Sequence, residues 1–200
     1  QGMTSLTTVD TTNMDVSRTV NMKSMFMSCE SLTSLDVSKW NVSNVEAMNM
    51  TFTYCSSLKE LNVSGWNVGK VTTMSSMFYD CSSLESLNVT NWNVENVTIM
   101  QMLFYDCQKL KNINLSNWQV GNVTTMKHMF WHCEAIESFD VGGWNVSKVT
   151  TFERMFSSCH SIKSLDLNNW KTTSATNMAY MFYECKTMHT LNVSNFDLSD

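Results

Sequence analysis

The residues able to do chemistry in this chain are its seven cysteines and four histidines, and their spacing limits the chemistry open to them. Cys29, Cys55, Cys81, Cys107, Cys133, Cys159 and Cys185 stand 26 residues apart, and they are all the cysteines there are. Thiols so arranged form a buried ladder, bridge their neighbours as disulfides or hold metal. In stacked coils the side chains of such a series point alike. Their Cα atoms would lie about 5 Å apart, within disulfide reach, but the dihedral near 90° is awkward. Cysteine packs well as a small hydrophobe, so a reduced core ladder is expected. His128 and His132 lie four apart, as a zinc pair on a helix would, with Cys133, Cys159 and His160 nearby in the repeat. His132 and Cys133, as sequence neighbours, should point different ways, and no third ligand falls in phase, so neither metal nor cofactor is expected. Gly-rich phosphate loops, a nucleophile elbow and paired carboxylates are missing, and no enzyme activity is expected.

The elements that position these residues share their period, and a fixed period of this length is the signature of a solenoid. Phe26, Phe52, Phe78, Phe104, Phe130, Phe156 and Phe182 repeat every 26 residues, as do Trp40, Trp66, Trp92, Trp118, Trp144 and Trp170, a series that ends in Phe196. Met3, Leu6, Val9 and Met14 hold the phases of Cys29, Leu32, Leu35 and Trp40, so 3–28 reads as a degraded first repeat. Full repeats follow at 29–54, 55–80, 81–106, 107–132, 133–158 and 159–184, with a partial one at 185–200, all in one domain spanning 1–200. Leu35-Asp36-Val37 alternates as a half-buried strand does. Val71, Met74, Met77, Phe78 and Cys81 are spaced for one or two turns of α or 3₁₀ helix. The expected fold is a solenoid of seven to eight coils, with a parallel strand on one face and short α/3₁₀ turns on the other.

The segment Leu32-x-x-Leu35-x-Val37-x-x-Trp40-x-Val42 resembles the leucine-rich repeat motif, and Val-x-x-Met-x-x-Met-Phe-x-x-Cys completes each turn. Together they are similar to the 26-residue bacterial surface-protein repeat of the BspA-like leucine-rich repeat surface proteins. The likeness runs from Met3 to the end, and departs from ordinary leucine-rich repeats by placing Trp where an Asn ladder would bond the turn. It implies a leucine-rich-repeat-type solenoid, an extracellular or cell-surface location, and a role in adhesion or binding.

In a solenoid each repeat position becomes a column, so binding sites are sought among columns. The Cys and Trp columns fall in phase with the core and read as structural ladders. Asp36, Asn62, Asn88, Asn114, Asp140, Asp166 and Asn192 lie beside the strand as a small polar face. That face is either a contact surface for protein or glycan or a solvated sheet whose Asn side chains hold register. Tyr79, Tyr105, Trp131 and Tyr183 form an aromatic stripe on the turn side, either exposed for contact or packed on the next coil. Lys59, Glu85, Lys111, Glu137 and Lys163 alternate in sign and read as a register device. The Thr72, Thr98, Thr124, Thr150 and Thr176 row carries a minor reading as an ice-binding face.

A net charge of −5 with 13 scattered basic residues excludes a nucleic-acid footprint. No apolar run is long enough to span a membrane, and the start lacks the pattern of a secretory signal. Neither end carries a polar cap, so the chain is expected to be a piece of a longer protein, with self-association through uncapped ends as another way to cover them. The resemblance therefore implies a module that binds an extracellular protein or glycan, the alternative being a stalk or filament subunit without a specific ligand.

Overall fold

The computed structural model describes residues 2–197. Their backbone winds in 26-residue coils whose strands stack in parallel. β1 (Ser34–Asp36) pairs with β2 (Glu60–Asn62), and β3 (Ser164–Asp166) with β4 (Thr190–Asn192). Leu35 faces Leu61 and Leu165 faces Leu191, each one repeat further on. A parallel bridge from Ser86 to Asn112 continues this face between the two pairs. In β1, β2 and β3 the middle leucine is buried and both neighbours face water, so one apolar residue per strand anchors each rung to the core.

A second ladder lies half a coil away in sequence. Asn21, Ala47, Thr73, Ile99, Thr125, Thr151 and Asn177 bridge one to the next in parallel. Among the described residues nothing after this ladder is helical, which corrects the expected α/3₁₀ turns. The segment is instead a run of reverse turns. Thr51 N–H donates to Met48 O, Thr53 N–H to Met50 O and Cys55 N–H to Phe52 O. The third residue of the first and last of these turns is left-handed, Met50 at φ 59° and Tyr54 at φ 61°. Each coil repeats the pattern, as at Ser76 and Asp80 or His128 and His132.

The left-handed residues decide where the amides point. A helix would spend its N–H groups along its own axis. Here the Met48, Met50, Phe52 and Tyr54 amides donate to Thr73, Ser75, Met77 and Tyr79 carbonyls of the next coil at 2.8–3.1 Å. Three-residue steps between turns still bring Met74, Met77, Phe78 and Cys81 inward, so the apolar spacing imitates a helix.

The core is a set of stacked columns. Phe26 through Phe182 lie nearly parallel, with centroids 5.4–6.0 Å apart. Trp66 through Trp170 stack at 6.1–6.4 Å and end on Phe196. The indole N–H of Trp66, Trp118, Trp144 and Trp170 donates to a carbonyl one coil back at 2.9–3.2 Å, which satisfies the polar edge of a buried ring. The indole N–H groups of Trp40 and Trp92 are buried without such a partner.

Candidate functional site

All seven cysteines are free thiols, six of them buried and Cys185 half-buried. From Cys55 to Cys185 each S–H donates at 3.1–3.3 Å to a phenylalanine carbonyl 29 residues earlier, beginning with Cys55 to Phe26. That same carbonyl accepts the amide of the cysteine below, as Phe26 O does from Cys29 N–H. Burial pushes the Cys55 thiol up to about 12 and Cys185 to about 11, and lifts Cys81, Cys107, Cys133 and Cys159 further. This geometry keeps the proton on sulfur, which makes the column a poor nucleophile and a poor metal ligand.

The strand face carries two shallow depressions of about 450 Å³ each, one over Ser86, Asn88, Asn112 and Asn114, the other over Ser34, Asp36, Glu60 and Asn62. The Asp/Asn column is exposed there along most of its length, yet its Oδ1 atoms turn inward on their own chain. Asp36, Asn62, Asn88, Asn114, Asp166 and Asn192 each accept the amide two residues on, at 2.9–3.3 Å. These Asx turns close the bend after the strand, and the same bonds hold the Asp36 carboxyl below its usual range. The column thus spends half of its polar atoms on the turn. In the threonine row, Thr72, Thr98, Thr124, Thr150 and Thr176 donate their hydroxyls to carbonyls of the preceding coil at 3.0–3.3 Å. Of the charge column, Lys111 pairs with Glu85 at 3.7 Å and Lys163 with Glu137 at 3.2 Å, all four well exposed.

The turn face is different in kind. Tyr79 and Tyr105 stack with centroids 4.3 Å apart and planes 6° from parallel, and Trp131 meets Tyr105 edge-on at 4.8 Å. Tyr183 stands apart from these because Ser157 fills the intervening column place. The gap is bridged by Arg154, whose guanidinium carbon lies 5.1 Å from the Trp131 ring and 4.6 Å from Tyr180, which in turn meets Tyr183 at 5.8 Å. At the other end Tyr54 packs edge-on against Tyr79 at 5.3 Å. The result is a ribbon from Tyr54 to Tyr183 along the stacking axis. Its middle is half-buried, while Tyr54, Tyr180 and Tyr183 are 39%, 58% and 51% exposed.

Column reading missed Tyr54, Tyr180 and Arg154 and weighed His128 only as half of a zinc pair. All four sit at left-handed positions, φ 52–61°, which swing the side chain sideways onto the neighbouring column. The signal was the recurrence of turn phases, read as helix.

Beside the ribbon runs a row of carboxylates and imidazoles. His132 Nδ1 lies 4.0 Å from Asp106 and 3.6 Å from Glu134; His160 lies 3.7 Å from Glu134 and 3.9 Å from Glu184. His128 is buried between Tyr105 and Trp131, and its Nε2 lies 3.5 Å from Glu153, which Lys127 pairs at 2.9 Å. Burial lowers the His128 pKa. Among the described residues no group of three or more His, Cys, Asp or Glu has the geometry to hold a metal ion, and no helix is long and apolar enough to cross a membrane.

Two overlapping stretches, residues 1–113 and 83–196, match the family model described as Mycoplasma protein of unknown function, DUF285. Among solved structures, the chain is similar to a leucine-rich repeat protein of T. pallidum, with 20% identity and a TM-score of 0.50 over 72% of this chain and 60% of that one. It is also similar to a leucine-rich repeat protein from Bacteroides ovatus, with 21% identity and a TM-score of 0.54 over 84% of this chain and 39% of that one. The chain therefore spans less than two thirds of either protein. At these identities the likeness shows the fold, a leucine-rich-repeat solenoid. No curated protein matches the sequence.

Proposed function

This chain belongs to the family described as Mycoplasma protein of unknown function, DUF285, and we propose that it is a leucine-rich-repeat binding module at the cell surface or in secreted form, which contacts a protein or glycan through the aromatic ribbon. The extracellular placing rests on the likeness of the 26-residue motif to BspA-like surface proteins. The choice of face rests on one observation: the coil does not need an aromatic ring at the ribbon's main column. Thr53 and Ser157 occupy the same phase as Tyr79 and Tyr105, both are buried, and the coil closes around them with the same turns. Rings that stacking does not require, held rigid and half-open to water, have the make-up of contact residues.

The test is a binding screen of the purified chain against a panel of extracellular-matrix proteins and an array of glycans. Saturable binding to at least one member is expected. Failure to bind any of them would contradict this reading and favour a stalk or filament subunit, whose columns serve stacking alone.

A further inference from the structure

The two ends of the ribbon differ in one respect. At the C-terminal end, Arg154 lies over Trp131 and Tyr180, so the ribbon holds a guanidinium from its own chain. At the N-terminal end the Tyr54 ring is open to water, the stacked pair Tyr79 and Tyr105 forms a wall beside it, and no cation of the described residues lies over either. Asp80 follows Tyr54 by one repeat and Asp106 follows Asp80 by another, which puts two half-buried carboxylates next to those rings. Asp80, which accepts from the Ser82 side chain, has no ion-pair partner among the described residues, and Asp106 accepts from Gln108 Nε2 at 3.0 Å with the imidazole of His132 4.0 Å away, so the hydrogen-bond partners of both are neutral. Burial and the neighbouring Asp106 and Glu30 charges together push the Asp80 carboxyl up. A cation arriving there would relieve both the desolvation and the like-charge repulsion.

Resting on the reading of the ribbon as the contact surface, we infer that its N-terminal end binds an arginine-bearing basic segment of a partner polypeptide. The guanidinium lies on Tyr54 and pairs with Asp80 and Asp106, as Arg154 lies on Trp131 and Tyr180. Arginine is favoured over lysine because its planar group both stacks on the ring and takes a carboxylate with two donors.

The probe is a fluorescein-labelled peptide of four Gly-Arg repeats, followed by anisotropy with the full chain at about 0.15 M salt; Gly-Lys and Gly-Glu peptides are the comparisons. Tyr54→Ser and Asp80→Ser are mild replacements, because Ser28 and Ser158 hold the same phase in other coils. Saturable binding of the Gly-Arg peptide is expected, weakened about threefold or more by Tyr54→Ser and about tenfold by Asp80→Ser with Asp106→Ser, with Gly-Lys weaker and Gly-Glu silent. Circular dichroism on each variant confirms that it folds. No binding, or binding untouched by Tyr54→Ser and equal for lysine, overturns the inference and leaves only attraction to a chain of net charge −5. If the panel screen finds a ligand that ribbon substitutions abolish while the Gly-Arg peptide stays free, the arginine class is wrong and the ribbon stands as the contact face. If ribbon substitutions leave the panel ligand bound, the contact face itself is wrong.

Discussion

A thiol whose S–H points at a carbonyl in a dry core has two reasons to keep its proton, and the five cysteines from Cys55 to Cys159 have both. Alkylation at pH 8 should therefore reach Cys185 first, since it is half-buried, and the remaining thiols only after denaturant is added; mass spectrometry of modified peptides reads the order. Prompt modification of Cys81 or Cys133 in the native chain would contradict it. The raised thiol pKa values also set a pH window. Unfolded thiols ionise near their ordinary value of about 9 while the folded ones hold their protons up to 11 or 12 or beyond, so stability should fall as pH rises above about 9. The tryptophans allow an internal comparison. Trp118 donates to Val89 O and Trp92 has no acceptor among the described residues, so Trp118→Phe should cost about 1 kcal/mol more than Trp92→Phe in urea unfolding. Cost in the reverse order would remove that bond from the account.

Between residues and coils stands the reverse-turn segment, where sequence and structure part. Leu35, Leu61 and Leu165 alternate with polar neighbours, and both the strand and its buried face were legible from that. Val71, Met74, Met77 and Phe78 have helical spacing, but a run of turns with left-handed third residues puts the same side chains inside. Periodicity records which residues face inward and not which carbonyl each amide finds. The Cys and Trp columns were legible for the same reason. The ribbon was legible only in its main column, because Tyr54 and Arg154 join it from left-handed turn phases whose 26-residue recurrence the helical reading absorbed. Left-handed residues other than glycine carry strain of about 1–2 kcal/mol, so Ser28→Gly, at φ 59°, should raise stability by about 0.5–1 kcal/mol while Ser28→Val lowers it by more. A helix at this segment would give the opposite sign for glycine, and thermal unfolding distinguishes them.

At the scale of the whole molecule, each rung of both ladders spans one 26-residue repeat and so joins a coil to its immediate neighbour. Excising residues 81–106 joins Asp80 to Cys107 in register and should leave a shorter chain with unchanged circular dichroism and cooperative unfolding. Removing one residue fewer should break the columns and abolish cooperativity. The constant columns thus account for folding, and what varies from coil to coil is left for function. On the turn face that variation brings in tyrosines, Trp131, Arg154 and the acidic row, whereas the varying column beside the strand alternates Lys and Glu, which pair between coils. The most direct test compares three proteins on one panel of matrix proteins and glycans: the native chain, Tyr79→Ser with Tyr105→Ser, and Ser86→Gln with Ser138→Gln on the exposed strand face. The native chain and the strand-face variant should bind alike, and the ribbon variant should lose at least about tenfold in affinity. Loss confined to the strand-face variant would place the contact on the opposite side of the coil and contradict the account.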